Sequence, residues 1–352
     1  MIKFRGKIEI IINDFSHLLL SKIGLIKYKK ILWGRSPHLE FGPGIRTLRL
    51  KKGLQKEFFD KNIIYMQSHW PWYEIMIYSF LAKLLNIKII FNQNGIYSKN
   101  YKQNFKFYNF TLLFGIIISD YIIYQSNFCF KSIYHISNNF VRKFLNNKNY
   151  SILLNPTLDT IEKVSNNNNQ NYTILICNSF SKDRLYYSKF IYNLVSNFDK
   201  NKKIAKTIIA GNFLNNLNKI EKNDIQSKSK IEIIQKASNN EILKLISKCS
   251  FIVHLNYGDP CPNFICEAIS FGKPSILNDV GGAKEIALNS CVIPKNNMIL
   301  DGQKMPDITN CLNSIEQMMS GYNFYKESAK IRTRELNINQ YVNKHIEIIK
   351  NL

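Results

Sequence analysis

The chain has 352 residues, more than a single hydrophobic core usually supports, so its length predicts two domains. Hydrophobic residues make up 45% of the sequence and charged residues 21%, proportions that exclude intrinsic disorder over most of the length. The 48 Lys and Arg against 25 Asp and Glu give a formal net charge of +23. Residues 1–150 hold 23 of the basic residues and 7 of the acidic ones, so a net +16 falls in this part.

Two interpretations of this basic excess stay open. One is compositional, because the sequence uses Asn, Lys and Ile heavily throughout. The other is attraction to an anionic membrane surface or to a phosphate-bearing acceptor. Nucleic acid is not an expected partner, because the sequence has no zinc-finger spacing, RNA-binding signature or basic heptad region.

Cysteine usage and hydropathy indicate a cytoplasmic protein. Seven cysteines without a CxxC pair, and no cleavable signal pattern, are typical of a reducing compartment. The longest apolar run, Phe110 to Ile118, is about half the length that a membrane span requires. We therefore expect a soluble protein or one bound peripherally at the inner face of the membrane.

In chain order, the first predicted element is an amphipathic helix over about residues 7–26, which leads into Lys27, Lys29 and Lys30. Docking on the protein body and in-plane contact with a membrane are both open for this helix. Short β-rich runs then alternate with helical stretches. The strand candidates are 28–33, 63–67, 87–91, 121–124 and 151–154.

A second series of elements follows Asn155-Pro156 and the polar tract Ser165 to Asn171. Its strand candidates are 173–177, 207–210, 231–234, 251–255, 274–277 and 291–293. The alternation predicts an α/β protein with two Rossmann-like domains, each a parallel sheet covered by helices. We place the domains at 1–155 and 156–335. A C-terminal helix follows at 336–352, with packing against the first domain as one option.

The most informative stretch is Asn256–Glu285, NYGDPCPNFICEAISFGKPSILNDVGGAKE. A strand leads into a Pro-rich turn, and helical spacing then begins at Asn263, a candidate N-cap. Free backbone N–H groups at such a helix start bind a diphosphate. Glu267 lies one turn further in, where its carboxylate can accept hydrogen bonds from a ribose diol. Asp259, in the turn, can hold sugar hydroxyls.

These residues resemble glycosyltransferase family 4. Asp259 and Glu267 have the spacing of the family's EX7E motif, and A-x-x-x-G-x-P-x-I at 268–276 and D-V-G-G-x-x-E at 279–285 follow in the family's order. The resemblance implies a GT-B fold, two Rossmann-like domains facing each other across a cleft. It also implies a donor bound by the C-terminal domain, retention of anomeric configuration, and neither metal nor cofactor.

The resemblance assigns roles on the donor side. It implies that Asp259, where the family usually has the longer Glu, touches the transferred sugar and that Glu267 grips the ribose. It also implies positive charge after the first strand of the second domain, where Lys182 and Arg184 are the candidates and solvated loop charges are the alternative. The family's Gly-Arg start is replaced by Asn178-Ser179. The other donor-binding candidates are Asn263, Phe264, Ser179, Gly281 and Gly282.

Candidates on the acceptor side follow strands of the first domain. Gly42 and Gly44 precede a helix expected near Ile45 and form either a glycine-rich loop or a simple turn. His69 is an acceptor-site base or part of a packed aromatic turn, Asn94 stands where family members often have His, and Gln125 ends another strand. No ligand spacing, and hence no metal site, is expected for the remaining histidines, His17, His38, His135, His254 and His345.

The sequence thus predicts a retaining, metal-independent glycosyltransferase of the hexosyltransferase type. It would move a sugar from a nucleotide-sugar donor to a glycan or lipid-linked acceptor in cell-surface polysaccharide synthesis. The alternative is a catalytically silent GT-B protein that binds sugar nucleotides, motivated by Asp259, by Asn94 and by the absent Gly-Arg. Hydrolysis of the donor would separate the two.

Overall fold

The computed structural model describes residues 2–22, 31–33, 42–55, 57, 59–96, 104–158, 171–180, 185–198, 201–300 and 303–352. The chain divides into two compact units. Unit 1 consists of Met1–Leu154 together with Asn339–Leu352, and unit 2 consists of Asn155–Ile338.

Unit 1 is built on a parallel sheet. Its strands are β1 (Ile31–Leu32), β2 (Ile63–Gln67), β3 (Lys88–Gln93), β4 (Tyr121–Tyr124) and β5 (Asn149–Ile152). Its helices are α1 (Ile2–Lys22), α2 (Gly42–Leu54), α3 (Trp72–Leu85), α4 (Phe105–Ile118), α5 (Asn127–Ile136), α6 (Asn139–Asn146) and, from the end of the chain, α14 (Ile338–Asn351). The strands pair in the sequential order β1-β2-β3-β4-β5.

The strands of unit 1 are apolar until their last residues. All of β2 is buried, and so is β3 after Lys88, as expected for parallel strands covered on both faces. Their carboxyl ends turn polar, with Gln67 on β2, Asn92 and Gln93 on β3, and Gln125 just after β4. Because the strands are parallel, these side chains meet at one edge of the sheet.

Helix α1 begins earlier than predicted, at Ile2 rather than about residue 7; it is described as far as Lys22, and the predicted residues 23–26 lie outside the described residues. Its second half is docked on unit 1. Leu18 is buried, and the hydroxyl of Tyr78 on α3 donates a hydrogen bond to Asp14 at 2.7 Å. Across the described ranges, no helix has the length and apolar character needed to cross a membrane.

Helix α14 is anchored in unit 1 by a buried polar chain. His345 is completely buried, and its Nε2 lies 3.0 Å from the hydroxyl of Tyr65. Asn92 donates to the same hydroxyl at 2.8 Å, and the side chain of Gln125 donates to Asn92 at 3.0 Å. The polar ends of β2 to β4 are thus tied to the end of the chain.

The close approach of α14 to α2 predicts the effect of one substitution. A Cβ at Gly53 would collide with Cγ2 of Val342 and lie 3.1 Å from its Cγ1. Overpacking costs roughly 1–3 kcal/mol, and Ala gains about 1 kcal/mol over Gly in helix propensity. We therefore expect Gly53→Ala to lower the thermal unfolding midpoint. Val342→Ala in the same chain should restore it; a rise for Gly53→Ala alone would contradict the close contact.

Unit 2 holds a second parallel sheet. Its strands are β6 (Tyr172–Cys177), β7 (Ile204–Ala210), β8 (Ile231–Ile234), β9 (Phe251–His254), β10 (Ser275–Leu277) and β11 (Cys291–Val292). Its helices are α7 (Leu185–Val195), α8 (Lys219–Ser227), α9 (Asn239–Lys248), α10 (Asn263–Ser270), α11 (Ala283–Ala287), α12 (Ile308–Ser320) and α13 (Tyr322–Glu335). The strand order is β11-β10-β9-β6-β7-β8.

The predicted strands recur with edges shifted by up to three residues, except that residues 28–30 of the first predicted strand lie outside the described residues. Two further differences have clear causes. The antiparallel hairpin β12 (Asn296–Leu300) and β13 (Gln303–Pro306) was not predicted, because neither strand alternates apolar and polar residues and the second ends in a proline. Gly42 and Gly44 lie in the first turn of α2, not in a loop before it. Pro43 is compatible with that position because first-turn N–H groups have no helical partner.

Candidate functional site

The strand order of unit 2 creates a topological switch point. From β6 the chain proceeds outward through β7 and β8, and then returns to the other side of β6 to place β9, β10 and β11. The loops after β6 and β9 therefore run in opposite directions and leave a crevice at the carboxyl ends of these strands, where open α/β sheets bind ligands. The sheet of unit 1, in its described strands, has a sequential order without such a reversal.

Two polar side chains meet across this crevice. Asn178 follows β6, Asn256 follows β9, and the amide of Asn178 donates to the side-chain oxygen of Asn256 at 2.6 Å. Gly211, after β7, has φ +123°, and a Cβ there would collide with the carbonyl oxygen of Asn178. Position 211 must therefore be glycine for the loop after β6 to pack against it. Ser179, a predicted donor-binding residue, lies in this loop and is exposed.

Asp259 is held by its main chain. It forms an isolated parallel bridge with Gly281, and its carbonyl oxygen accepts a hydrogen bond from the N–H of Gly282 at 2.8 Å. Gly281 has φ +138°, and a Cβ there would lie 2.7 Å from the Asp259 oxygen. Both predicted glycines therefore connect the loop after β10 to the turn that carries Asp259, and the glycine at 281 permits the close approach.

Glu267 is 4% exposed on α10 and lies near the carboxyl end of β6. Burial, with a further contribution from the Glu267 carboxylate, raises the pKa of Cys177 to about 12. Cys177 is the last residue of β6, so Glu267 and Asp259 lie near the carboxyl ends of the two switch-point strands. The raised pKa also keeps Cys177 a neutral thiol at physiological pH, which makes it a poor nucleophile.

The predicted N-cap of α10 is wrong. Pro262 occupies the N-cap position without a side-chain cap, and Asn263 is the first helical residue. Its side-chain oxygen instead accepts a hydrogen bond from the amide of Asn155 at 2.8 Å, and the same amide reaches the carbonyl of Cys261 at 2.8 Å. Asn155, at the start of unit 2, competes successfully for the oxygen that would have capped the helix. Phe264 follows, its ring 5.9 Å from that of His254.

His254 is the residue that the sequence analysis missed. It ends β9, is 4% exposed, and its Nε2 lies 3.4 Å from Oδ2 of Asp259. Neither ring nitrogen makes a well-aligned hydrogen bond in the described part of the chain, so this is a close polar approach and not a regular hydrogen bond. An interval of five residues across a turn is not a known ligand spacing, so no partner for His254 could be predicted.

Lys182 and Arg184, predicted to meet the leaving diphosphate, lie outside the described residues, as does the tract from 165 to 170. Their roles stay predictions. Among the residues that are described, no group of three or more His, Cys, Asp or Glu side chains is arranged to hold a metal ion.

The acceptor-side candidates His69, Asn94 and Gln125 follow β2, β3 and β4 at one edge of the unit 1 sheet. Asn94 pairs with Ser68, since its N–H donates to the Ser68 hydroxyl at 3.1 Å and the two side chains are also in contact. Gln125 is buried, and its side chain donates to Asn92. The amide is therefore part of the chain of hydrogen bonds that reaches His345.

His69 combines features of both interpretations left open for it. Burial, and then the charge of Arg46, lower the pKa of His69 to about 4, so the ring is neutral at physiological pH. Neither of its nitrogens has a hydrogen-bond partner among the described residues. The neighbouring Trp70 is packed against Tyr78 at 5.3 Å between ring centroids, as in an aromatic turn, whereas Trp72 is exposed.

Comparison with known proteins bears on the segment that holds the crevice. Residues 159–315 match the family model described as glycosyl transferases group 1. This segment is somewhat less than half of the chain and contains both Asp259 and Glu267. No curated protein matches the chain in sequence.

Solved structures match nearly the whole chain at low sequence identity. A glycosyltransferase from Rickettsia africae is 16% identical with a TM-score of 0.61, covering 99% of this chain and 94% of that one. HepE from Anabaena in complex with UDP-glucose is 12% identical with a TM-score of 0.58, covering 91% and 85%. The sucrose-phosphate synthase of Thermosynechococcus elongatus is 12% identical with a TM-score of 0.59, covering 88% and 77%. These matches confirm the predicted α/β fold of the GT-B type with two Rossmann-like domains.

Proposed function

We propose that the chain is a retaining glycosyltransferase that uses a nucleoside-diphosphate sugar as donor and needs no metal. The observation that supports this best is the position of Asp259 and Glu267 near the carboxyl ends of β9 and β6, at the switch point of unit 2. Both acids lie inside the segment that matches group 1 glycosyl transferases.

The two acids suit different parts of such a donor. Glu267, buried beside the end of β6, accepts hydrogen bonds from the ribose hydroxyls, and the first turn of α10 faces the diphosphate with its free N–H groups. Asp259 extends from a turn whose main chain is fixed by Gly281 and Gly282, and it holds hydroxyls of the transferred sugar. Lys182 and Arg184 would meet the charge that develops on the leaving diphosphate.

Retention follows if the acceptor attacks on the face from which the diphosphate departs. The bond between the anomeric carbon and the leaving phosphate oxygen breaks, and the bond to the acceptor oxygen forms on the same face. The acceptor proton passes to the departing phosphate oxygen, so no protein base is required. This is compatible with Asn94 in place of a histidine and with a neutral His69.

For the acceptor we propose a glycan or a lipid-linked sugar, with cell-surface polysaccharide synthesis as the setting and the cytoplasm as the location. The basic excess of residues 1–150 favours an acceptor that carries phosphate or lies at an anionic membrane. His69, Asn94 and Gln125, at the strand ends of unit 1, are the proposed acceptor-side residues, and Gly42 and Gly44 are kept as candidates in the first turn of α2.

Thermal stabilisation by nucleotide sugars tests the donor class. A ligand at 100 times its dissociation constant should stabilise the chain by about 2.7 kcal/mol. UDP sugars come first, since HepE was solved with UDP-glucose. The sugar that stabilises most should then be consumed, with nucleotide release unaffected by a chelator. Stabilisation without release would favour the catalytically silent alternative, and release abolished by the chelator would contradict a metal-independent reaction.

A further inference from the structure

Three helices of unit 1 share a large apolar surface that faces solvent. On α3, Trp72, Met76, Phe80 and Leu84 recur every fourth residue and are exposed, Phe80 by 67% and Leu84 by 55%. Spacing of four keeps successive side chains on one face of a helix, here over about 18 Å. An isolated exposed Leu or Phe is ordinary, but a stripe of this length is not.

The neighbouring helices extend the stripe. On α4, Phe107 and Phe110 are exposed, and the ring of Phe107 meets that of Trp72 edge to face at 6.0 Å between centroids. On α1, Ile12 and Leu19 are exposed as well. Lys22 at the end of α1 donates to the carbonyl of Leu84, so the end of α1 lies beside the last residue of the α3 stripe. The apolar face is defined by Ile12, Leu19, Trp72, Met76, Phe80, Leu84, Phe107 and Phe110.

The charges beside the apolar face have one sign. Lys22, Lys83 and Lys106 are exposed on the same three helices. The described acids on these helices do not offset this charge at the surface, because Glu74 is buried and Asp14 accepts the hydrogen bond of Tyr78. A face of large apolar side chains bordered by lysines matches a surface that offers acyl chains beneath anionic head groups. A protein partner would require no such bias of charge.

We infer that this apolar face is the site at which the chain binds an anionic membrane. The docked half of α1 contributes only the edge of it, so the contact predicted for an N-terminal helix shifts mainly to α3 and α4. Binding at this face goes beyond sugar transfer and does not depend on it.

Vesicle co-sedimentation tests the assignment with a matched control. The test variant is Met76→Ser, Phe80→Ser, Leu84→Ser; the control is Ile220→Ser, Ile299→Ser, Phe324→Ser, which removes three apolar side chains of unit 2 that are on average more exposed than those of the test variant. We expect the wild type and the control to bind vesicles containing phosphatidylglycerol at low salt, and the test variant to bind at least about tenfold more weakly. The wild type should bind vesicles of pure phosphatidylcholine more weakly, and added salt should weaken only its binding to the anionic vesicles.

Turnover of a soluble donor should be the same in all three proteins, which shows that the test variant is folded. No binding of the wild type, or equal binding of test and control variants, would overturn the assignment. If the wild type stays with the supernatant but self-associates, and the test variant is monomeric by light scattering, the face is an interface between two copies and the membrane assignment is wrong.

The approach of His254 to Asp259 carries a second inference, which rests on the proposed function. The main chain of His254 is held in the sheet by its register with Leu277, and its buried ring lies 5.9 Å from the Phe264 ring. Its nitrogens lack well-aligned partners in the described chain, and the Asp259 carboxylate is 3.4 Å away. A buried ring N–H needs an acceptor, and the Asp259 carboxylate 3.4 Å away is positioned to supply one.

The geometry points to His254 as a positioning residue that orients the Asp259 carboxylate toward the sugar. The Asp259 side chain is 28% exposed, so one side faces the histidine while the rest remains open to the crevice. The main chain of Asp259 is already fixed, which leaves the side-chain torsions as the freedom that His254 restricts.

Two replacements separate positioning from packing. His254→Phe keeps a ring but has no N–H, whereas His254→Gln keeps a donor but has no ring. We expect His254→Phe to lower kcat about tenfold or more with little change in affinity for nucleoside diphosphate, and His254→Gln to retain more activity. In an Asp259→Asn background, His254→Phe should have little further effect, because both residues act through one carboxylate.

The opposite order would show that His254 only packs beneath the turn, since Phe would then be tolerated and Gln would not. Unchanged kcat in His254→Phe would overturn this inference but leave the proposed function intact. A wild-type chain that binds the nucleotide but turns over no donor would overturn the proposed function, and the inference with it.

Discussion

Replacing Asp259 by Asn is expected to lower donor turnover by roughly 10²–10³-fold, the usual loss when one group that stabilises a transition state is removed. Affinity for the free nucleoside diphosphate should stay nearly unchanged, because the proposed partner of Asp259 is the sugar. Asn has almost the same shape, and the contacts of residue 259 with Gly281 and Gly282 involve its main chain, so the turn should survive.

Steady-state kinetics and calorimetry measure the two quantities separately. Asp224→Asn is the matched control, a half-exposed acid of unit 2 that contacts Lys228 and Tyr192 far along the chain from the turn. We expect this variant to behave as wild type. Equal losses of turnover and nucleotide affinity in Asp259→Asn would instead mean that the side chain organises the turn.

Glu267→Ala should weaken the binding of donor and of free nucleoside diphosphate alike, because the ribose is common to both. Loss of hydrogen bonds to a charged group costs roughly 1.5–3 kcal/mol, or between about tenfold and 150-fold in Kd. Glu267 is 4% exposed, so Ala also removes buried volume. Glu267→Gln keeps that volume and should show a smaller loss in the same direction.

Calorimetric titration with UDP provides the measurement, and Glu327→Ala, an exposed acid on α13 paired with Lys330, is the control. Circular dichroism should show that all variants are folded. Unchanged affinity in folded Glu267→Ala would remove this residue from the donor site and leave the ribose without an assigned partner.

The parts of the fold that sequence could predict are those set by local pattern. Apolar runs separated by turn residues identify β6 and β9 to within a residue, and the Pro-rich turn places the start of α10 correctly at Asn263. The fold class follows from the alternation of these elements. The hairpin β12–β13 could not be predicted, because neither of its strands alternates apolar and polar residues.

Of the site, only the residues that are close together in the chain could be predicted. Asp259 and Glu267 stand out because a spacing within one chain segment brings them to the same end of the sheet. The contacts of Asn155 with Asn263, and of Asn178 with Asn256, join residues about 80 to 110 positions apart, and only the packed sheet brings these amides together. His254 lies five residues from Asp259, yet the turn that folds one onto the other has no recognisable signature.

The location of a bound nucleotide decides whether the donor site lies at the switch point of unit 2. A crystal structure with the most stabilising nucleotide sugar, or with its nucleoside diphosphate, should show the ribose within hydrogen-bond distance of the Glu267 carboxylate. The diphosphate should lie at the first turn of α10, and the sugar beside Asp259. A nucleotide bound instead at the carboxyl ends of β2 to β4, or away from both sheets, would contradict the account.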